Sequence, residues 1–131
     1  MATHEKKIWP EYFKAVVEGR KQFEIRKYDT PYSVGDLVKL REWCPEKFAA
    51  LCLAVGIPMQ PQEVEPVADR HCRGRIKDEC YTGRSITVAI PYIVKPGVAG
   101  LPDDLCVFGI TKAFTIDENE KVLLTENYPR V

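Results

Sequence analysis

No stretch of the sequence approaches the apolar length of a membrane-spanning helix, and Met1 to Lys7 lack the apolar core of a secretory signal. A cytoplasmic location with no membrane partner is therefore the expectation. Nor is either sign of charge in excess, since 19 basic residues stand against 19 acidic ones. Zero net charge excludes avid, sequence-blind coating of nucleic acid while leaving room for a local basic face. Cys44, Cys52, Cys72, Cys80 and Cys106 are odd in number and lack the tight spacing of a secreted disulfide framework, which favours reduced thiols. Seven residues separate Cys44 from Cys52, and seven separate Cys72 from Cys80. Structural zinc takes pairs about two to four residues apart, so even with His71 alongside no metal is expected, and no other cofactor. Repeats and low-complexity segments are also missing.

What is present is an ordinary globular composition over 131 residues, enough for a single domain spanning 1–131 with one core. Charge is unevenly spread. Residues 1–41 hold nine Lys or Arg against six Asp or Glu, and residues 98–131 hold three against six. Residues 4–9 suit a short strand. Pro10 fits a first helical position, and Tyr12, Phe13, Val16 and Val17 make an apolar stripe on a helix from Pro10 to Glu18, with Gly19 as its left-handed stop. Leu37 to Trp43 predicts a strand, and Pro45 to Val55 a short helix. That helix opens a proline-interrupted insertion of about 44–80, whose Arg70 to Lys77 is the densest basic run. Order returns at Tyr81 to Arg84. Ser85 to Val94 alternates as a strand ending or bulging at Pro91, Leu105 to Phe114 reads as one central buried strand, and Lys121 to Thr125 as an edge strand.

The join between the first helix and the next strand carries the chemistry. In Gly19-Arg20-Lys21-Gln22-Phe23-Glu24-Ile25-Arg26, strand alternation sends Phe23 and Ile25 to one face and Gln22, Glu24 and Arg26 to the other. Lys21 stands on the turn just before. On spacing alone, such a cluster reads either as a solvated charged face or as a site.

Gly19, Lys21, Glu24 and Arg26 match the G-x-K-x-x-E-x-R signature, and on it the chain resembles the ASCH (activating signal cointegrator homology) superfamily. The neighbouring Trp9 to Phe13, Val34-Gly35-Asp36, Arg41-Glu42-Trp43 and Tyr81 to Arg84 resemble a phage and bacterial branch of it. The likeness covers residues 4–43 and 81 to about 112. It implies an α+β fold: a small PUA-like β-barrel of mostly antiparallel strands, with a short N-terminal helix and the long insertion set apart. It further implies binding of RNA or a modified nucleobase in a cleft lined by the motif. Glu24 would accept from a base edge, Arg26 would donate, and Lys21 would answer a phosphate or carbonyl, with Arg41 and Arg84 as further contacts. Trp43, Tyr81, Tyr28 and Tyr32 are candidates to stack on a base.

An amidohydrolase of N4-acetylated cytidine in one bacterial branch uses a Lys proton acceptor, a Thr nucleophile and a Glu proton donor. Lys21 aligns with that Lys, but Glu24 occupies the nucleophile position, and Ile86 to Val94, where the donor belongs, holds no acid. A binding protein for RNA, nucleic acid or a modified nucleoside is therefore the first expectation. A hydrolase acting on a modified nucleoside or RNA through Lys21 and Glu24 is the second, and a protein-interaction module the third.

Overall fold

The computed structural model describes residues 1–56, 75–116 and 122–124, with side chains described through residue 111 of these. The described strands are β1 (Thr3–Ile8), β2 (Phe23–Lys27), β3 (Leu37–Trp43), β4 (Tyr81–Ala89), β5 (Ile93–Val94), β6 (Leu105–Gly109), β7 (Thr111–Ile116) and β8 (Val122–Leu124). Helix α1 (Pro10–Val17) follows β1, and α2 (Pro45–Ala54) follows β3. One sheet has the order β1-β3-β4-β7-β8 and the other β2-β6-β5. Only the β1–β3 pairing is parallel among the described strands, so the expected mixture of helix and mostly antiparallel sheet is present. Among the described residues no ladder closes the two sheets into a single barrel. Among the described strands β1 and β8 are the edges of one sheet, and β2 and β5 the edges of the other.

One sequence expectation is corrected here. Leu105 to Phe114 is not one strand. The chain pairs with β2 and β5 as β6, passes through Ile110, and continues as β7 beside β4 in the other sheet. Gly109 N–H bonds the Tyr92 carbonyl at 3.0 Å and Ile110 N–H bonds the Gln22 carbonyl at 3.1 Å, so partners change within one apolar run. The strand expected from Ser85 does end near Pro91. Strand β4 ends at Ala89, and beyond Pro91 the chain joins the second sheet as β5.

Helix α1 begins at Pro10 and buries Phe13, Ala15, Val16 and Val17. Phe13, Val16 and Val17 meet Ile8, Val38, Leu40, Ile86, Val88 and Phe108 in the main core, to which both sheets contribute. Each such side chain taken from water stabilises by about 1.5–3 kcal/mol before conformational entropy is counted. The helix ends in a Schellman turn: Gly19, at φ +83°, sends its N–H to the Val16 carbonyl, and Arg20 sends its own to Ala15. Lys21 N–H also bonds the Ala15 carbonyl, at 3.0 Å. The backbone of Lys21 is thus fixed to the helix end.

The described parts of the insertion form a second, smaller cluster. Trp43, Cys52, Ile76 and Cys80 are buried together, with Phe48 and Leu51 against them. Cys44 caps α2, its sulfur accepting the Lys47 N–H at 3.5 Å, and Cys80 donates to the Ile76 carbonyl. Burial pushes the Cys80 and Cys106 thiols up. Among the described residues no three His, Cys, Asp or Glu gather as a metal site. His71 and Cys72, like most of the basic run Arg70 to Lys77, lie outside the described residues. At the start of β1, buried Asp36 accepts from Ala2 N–H and Ser33 N–H, each at 3.0 Å, and pairs with His4 Nε2 at 2.8 Å. These bonds hold its carboxyl well below the usual range, at about 2.

Candidate functional site

Strand β2 has its charged face inside. Glu24 is 3% exposed, whereas the apolar Phe23 and Ile25 are 47% and 56% exposed. Register explains the inversion, because Glu24 lies opposite Phe108 and Arg26 opposite Cys106, both buried core residues. A strand that turns its carboxylate and guanidinium inward must satisfy them there. Glu24 does so with two cations: Lys21 Nζ contacts Oε1, and Arg26 Nε donates to Oε2 at 2.8 Å. Arg26 Nη2 also donates to the Lys7 carbonyl at 3.0 Å, which ties β2 to β1.

These groups line a cavity of ≈ 580 Å³ between the open edges of β1 and β2. Lys7 and Ile8 come from β1, Trp9 and Tyr12 from the start of α1, Lys21 from the turn, and Phe23, Glu24, Ile25 and Arg26 from β2. Trp9 and Tyr12, 44% and 46% exposed, stack with ring centroids 6.1 Å apart and planes 19° from parallel. Lys21 Nζ stands 5.7 Å from the Tyr12 ring and 5.6 Å from Phe23. The lip is aromatic and the floor is charged.

The backbone adds a third kind of contact. Ile110 N–H bonds the Gln22 carbonyl and Tyr28 N–H the Asp104 carbonyl, which puts Glu24 and Arg26 in the hydrogen-bonded positions of the β2–β6 ladder. Alternation then turns the N–H and C=O groups of Phe23 and Ile25 towards the open edge. An open strand edge is a row of donors and acceptors at fixed spacing.

Lys21, Glu24 and Arg26 are therefore brought together, while the other residues singled out in the sequence lie elsewhere. Trp43 is buried, donates from Nε1 to the Lys77 carbonyl at 2.8 Å and packs at a tilt against Phe48. Arg41 lies 3.8 Å over the Tyr81 ring and pairs with Glu5 at 2.8 Å. Arg84 forks onto Glu42, with Nε to Oε1 at 2.8 Å and Nη2 to Oε2 at 2.7 Å, and Thr82 donates to the same carboxylate. Tyr32 is a core ring against Phe108 and His4, and Tyr28 packs on the same core, so neither offers a face to a base at the lip. Burial raises the Tyr32 hydroxyl to about 12.

Sequence reasoning passed over Lys7, Trp9, Tyr12 and Phe23 as contacts. Trp9 directly before Pro10 carried a usable signal, since a large ring at a helix entrance precedes the buried stripe. Phe23 carried none, because an alternating strand does not reveal which face is inside.

Residues 3–110 match the family described as a domain of unknown function, DUF3850. The chain belongs to the DUF3850 family. The matched range contains every residue of the cleft. A protein of Escherichia phage P2, described as an uncharacterized 12.9 kDa protein in the GpA 3′ region, is 48% identical over 40 residues. That alignment takes in 30% of this chain and 37% of the phage protein. A phage relative accords with the phage or bacterial context expected of this DUF3850 protein. Among its described residues no helix is long and apolar enough to cross a membrane.

Proposed function

We propose that this DUF3850 protein binds RNA or a modified nucleobase, with the base held in the cleft between β1 and β2. The observation that carries this reading is the buried Glu24, flanked by Lys21 and Arg26, beneath the exposed rings of Trp9 and Tyr12. A base is flat, apolar on its faces and polar on its edges. Aromatic rings answer the faces, while a carboxylate, a guanidinium and open-edge backbone groups answer the edges. A volume of ≈ 580 Å³ falls within the range of about 300–1,000 Å³ used for small ligands. The finer architecture we assign is that of a PUA-like ASCH domain, its two sheets wrapped over one core as an opened barrel.

Titrating the full chain with the common ribonucleosides and N4-acetylcytidine, read by tryptophan fluorescence, tests this. Saturable quenching lost in Trp9→Phe is expected, and no response to any base sinks the reading.

Hydrolysis of a modified nucleoside is the second reading, favoured by the direct contact of Lys21 with Glu24 in the cleft. Against it, Ile86 to Val94, where the resemblance would put a proton donor, holds no acid. Chromatographic detection of cytidine released from N4-acetylcytidine would bring hydrolysis forward.

A further inference from the structure

The charges lining the cleft do not balance. Lys7, Lys21 and Arg26 are cations and Glu24 is the one carboxylate among the lining residues. Lys21 and Arg26 share it, and Lys7 has no carboxylate partner among the described residues. Its ammonium instead lies 4.1 Å over the Trp43 ring. The same indole bonds the backbone of Lys77, whose carbonyl takes the Trp43 Nε1–H at 2.8 Å. Arg26 closes the group from the other side by its 3.0 Å bond to the Lys7 carbonyl. Acidic neighbours do not offset this. Glu5, two residues before Lys7, is bound to Arg41, while Asp78 and Glu79 make no ion pair with Lys7 or Lys77 among the described residues. Burial foremost, and then the charges of Lys77 and Arg26, push the Lys7 ammonium below its ordinary value.

We propose that Lys7, flanked by Lys77 and Arg26, forms an anion subsite on the β1 side of the cleft that takes the phosphate of the nucleotide whose base the cleft holds. The base half of this statement rests on the reading above; the anion half does not. Lys7 is the charge contact, Trp43 its positioning residue, and the ligand is a phosphorylated nucleoside or a strand, not a neutral nucleoside. Phosphate supplies the counter-charge that the protein withholds from Lys7.

Calorimetric titration of the full chain with each ribonucleoside, its 5′-monophosphate and inorganic phosphate tests this. At least one monophosphate is expected to bind about tenfold more tightly than its nucleoside, the worth of one charge-assisted contact. Lys7→Gln should lower monophosphate affinity to that of the nucleoside for the same variant, and Lys7→Arg should restore the difference, which separates lost charge from a damaged fold. Equal binding of nucleoside and monophosphate by the unaltered protein overturns the subsite, as does equal weakening of both by Lys7→Gln. If inorganic phosphate binds through Lys7 while nucleosides do not bind at all, the subsite stands and the base reading falls. If neither phosphate nor any monophosphate binds, the subsite falls whatever the nucleosides do. A hexanucleotide RNA binding more tightly than every monophosphate, with Lys7→Gln lowering its salt slope by about one, makes a strand the source of the phosphate.

Discussion

Arg26 donates from Nη2 to the main-chain carbonyl of Lys7 at 3.0 Å, and this bond joins the edge strand of one sheet to the edge strand of the other. With its Nε on Glu24, the same guanidinium fixes both the width of the cleft and the acceptor on its floor. Arg26→Ala removes two partners at once from half-buried or buried groups. Urea unfolding should show a loss of about 1–3 kcal/mol, and Arg26→Lys should recover only part of it, because one ammonium cannot span both acceptors.

Two aromatic rings in this protein should respond in opposite ways to truncation. Trp9 sits at the lip and Tyr32 in the core. Trp9→Ala should weaken base binding by about 1–3 kcal/mol while shifting stability by under about 0.5 kcal/mol. Tyr32→Ala should cost about 3–5 kcal/mol of stability. Tyr32→Phe should be neutral or slightly stabilising, because the buried hydroxyl has no hydrogen-bond partner among the described residues. Thermal unfolding beside fluorescence titration separates the three.

Acid should act through Asp36. Its folded carboxyl titrates at about 2, below the ordinary 3.8, so the folded state binds fewer protons than the unfolded state across that interval. The contribution is fully present above about pH 4 and is lost as pH falls from 4 towards 2. Melting temperature measured over that range should fall for the unaltered protein and fall less steeply in Asp36→Asn.

Glu42, 1% exposed, holds Arg84 and Thr82, which makes Arg84 a keeper of the fold more than a contact of the ligand. Arg84→Ala should lower stability by about 1–3 kcal/mol, since a buried carboxylate loses its fork. Base affinity of the folded protein should stay within about twofold.

Much of this was legible in the sequence because it is local. Pro10 and Gly19 bound a helix with a single apolar stripe, so α1 and the placement of Lys21 follow from short-range chemistry. The motif residues Lys21, Glu24 and Arg26 also meet, since alternation alone puts the last two on one face. What was not legible depends on long-range pairing. Nothing within Leu105 to Phe114 marks Ile110 as the point where the chain leaves one sheet for the other. The face of β2 that turns inward is decided by Phe108 and Cys106, about eighty residues away along the chain. Trp43 read as a stacking ring because its burial depends on α2 and the helical residues 75–79 that carry Ile76, which come later. Lys7 was overlooked because its isolation from carboxylates appears only when Glu5 is seen bound to Arg41.

The central claim is that Glu24 is a recognition group, buried to read a base edge and not merely to anchor two cations. Glu24→Gln keeps the shape and removes the charge, so the decisive measurement is the affinity of this variant for whichever ribonucleoside or modified nucleoside the unaltered protein binds. The account predicts an affinity at least about tenfold weaker with the cooperative unfolding transition intact. Unchanged affinity in a folded Glu24→Gln protein would contradict it.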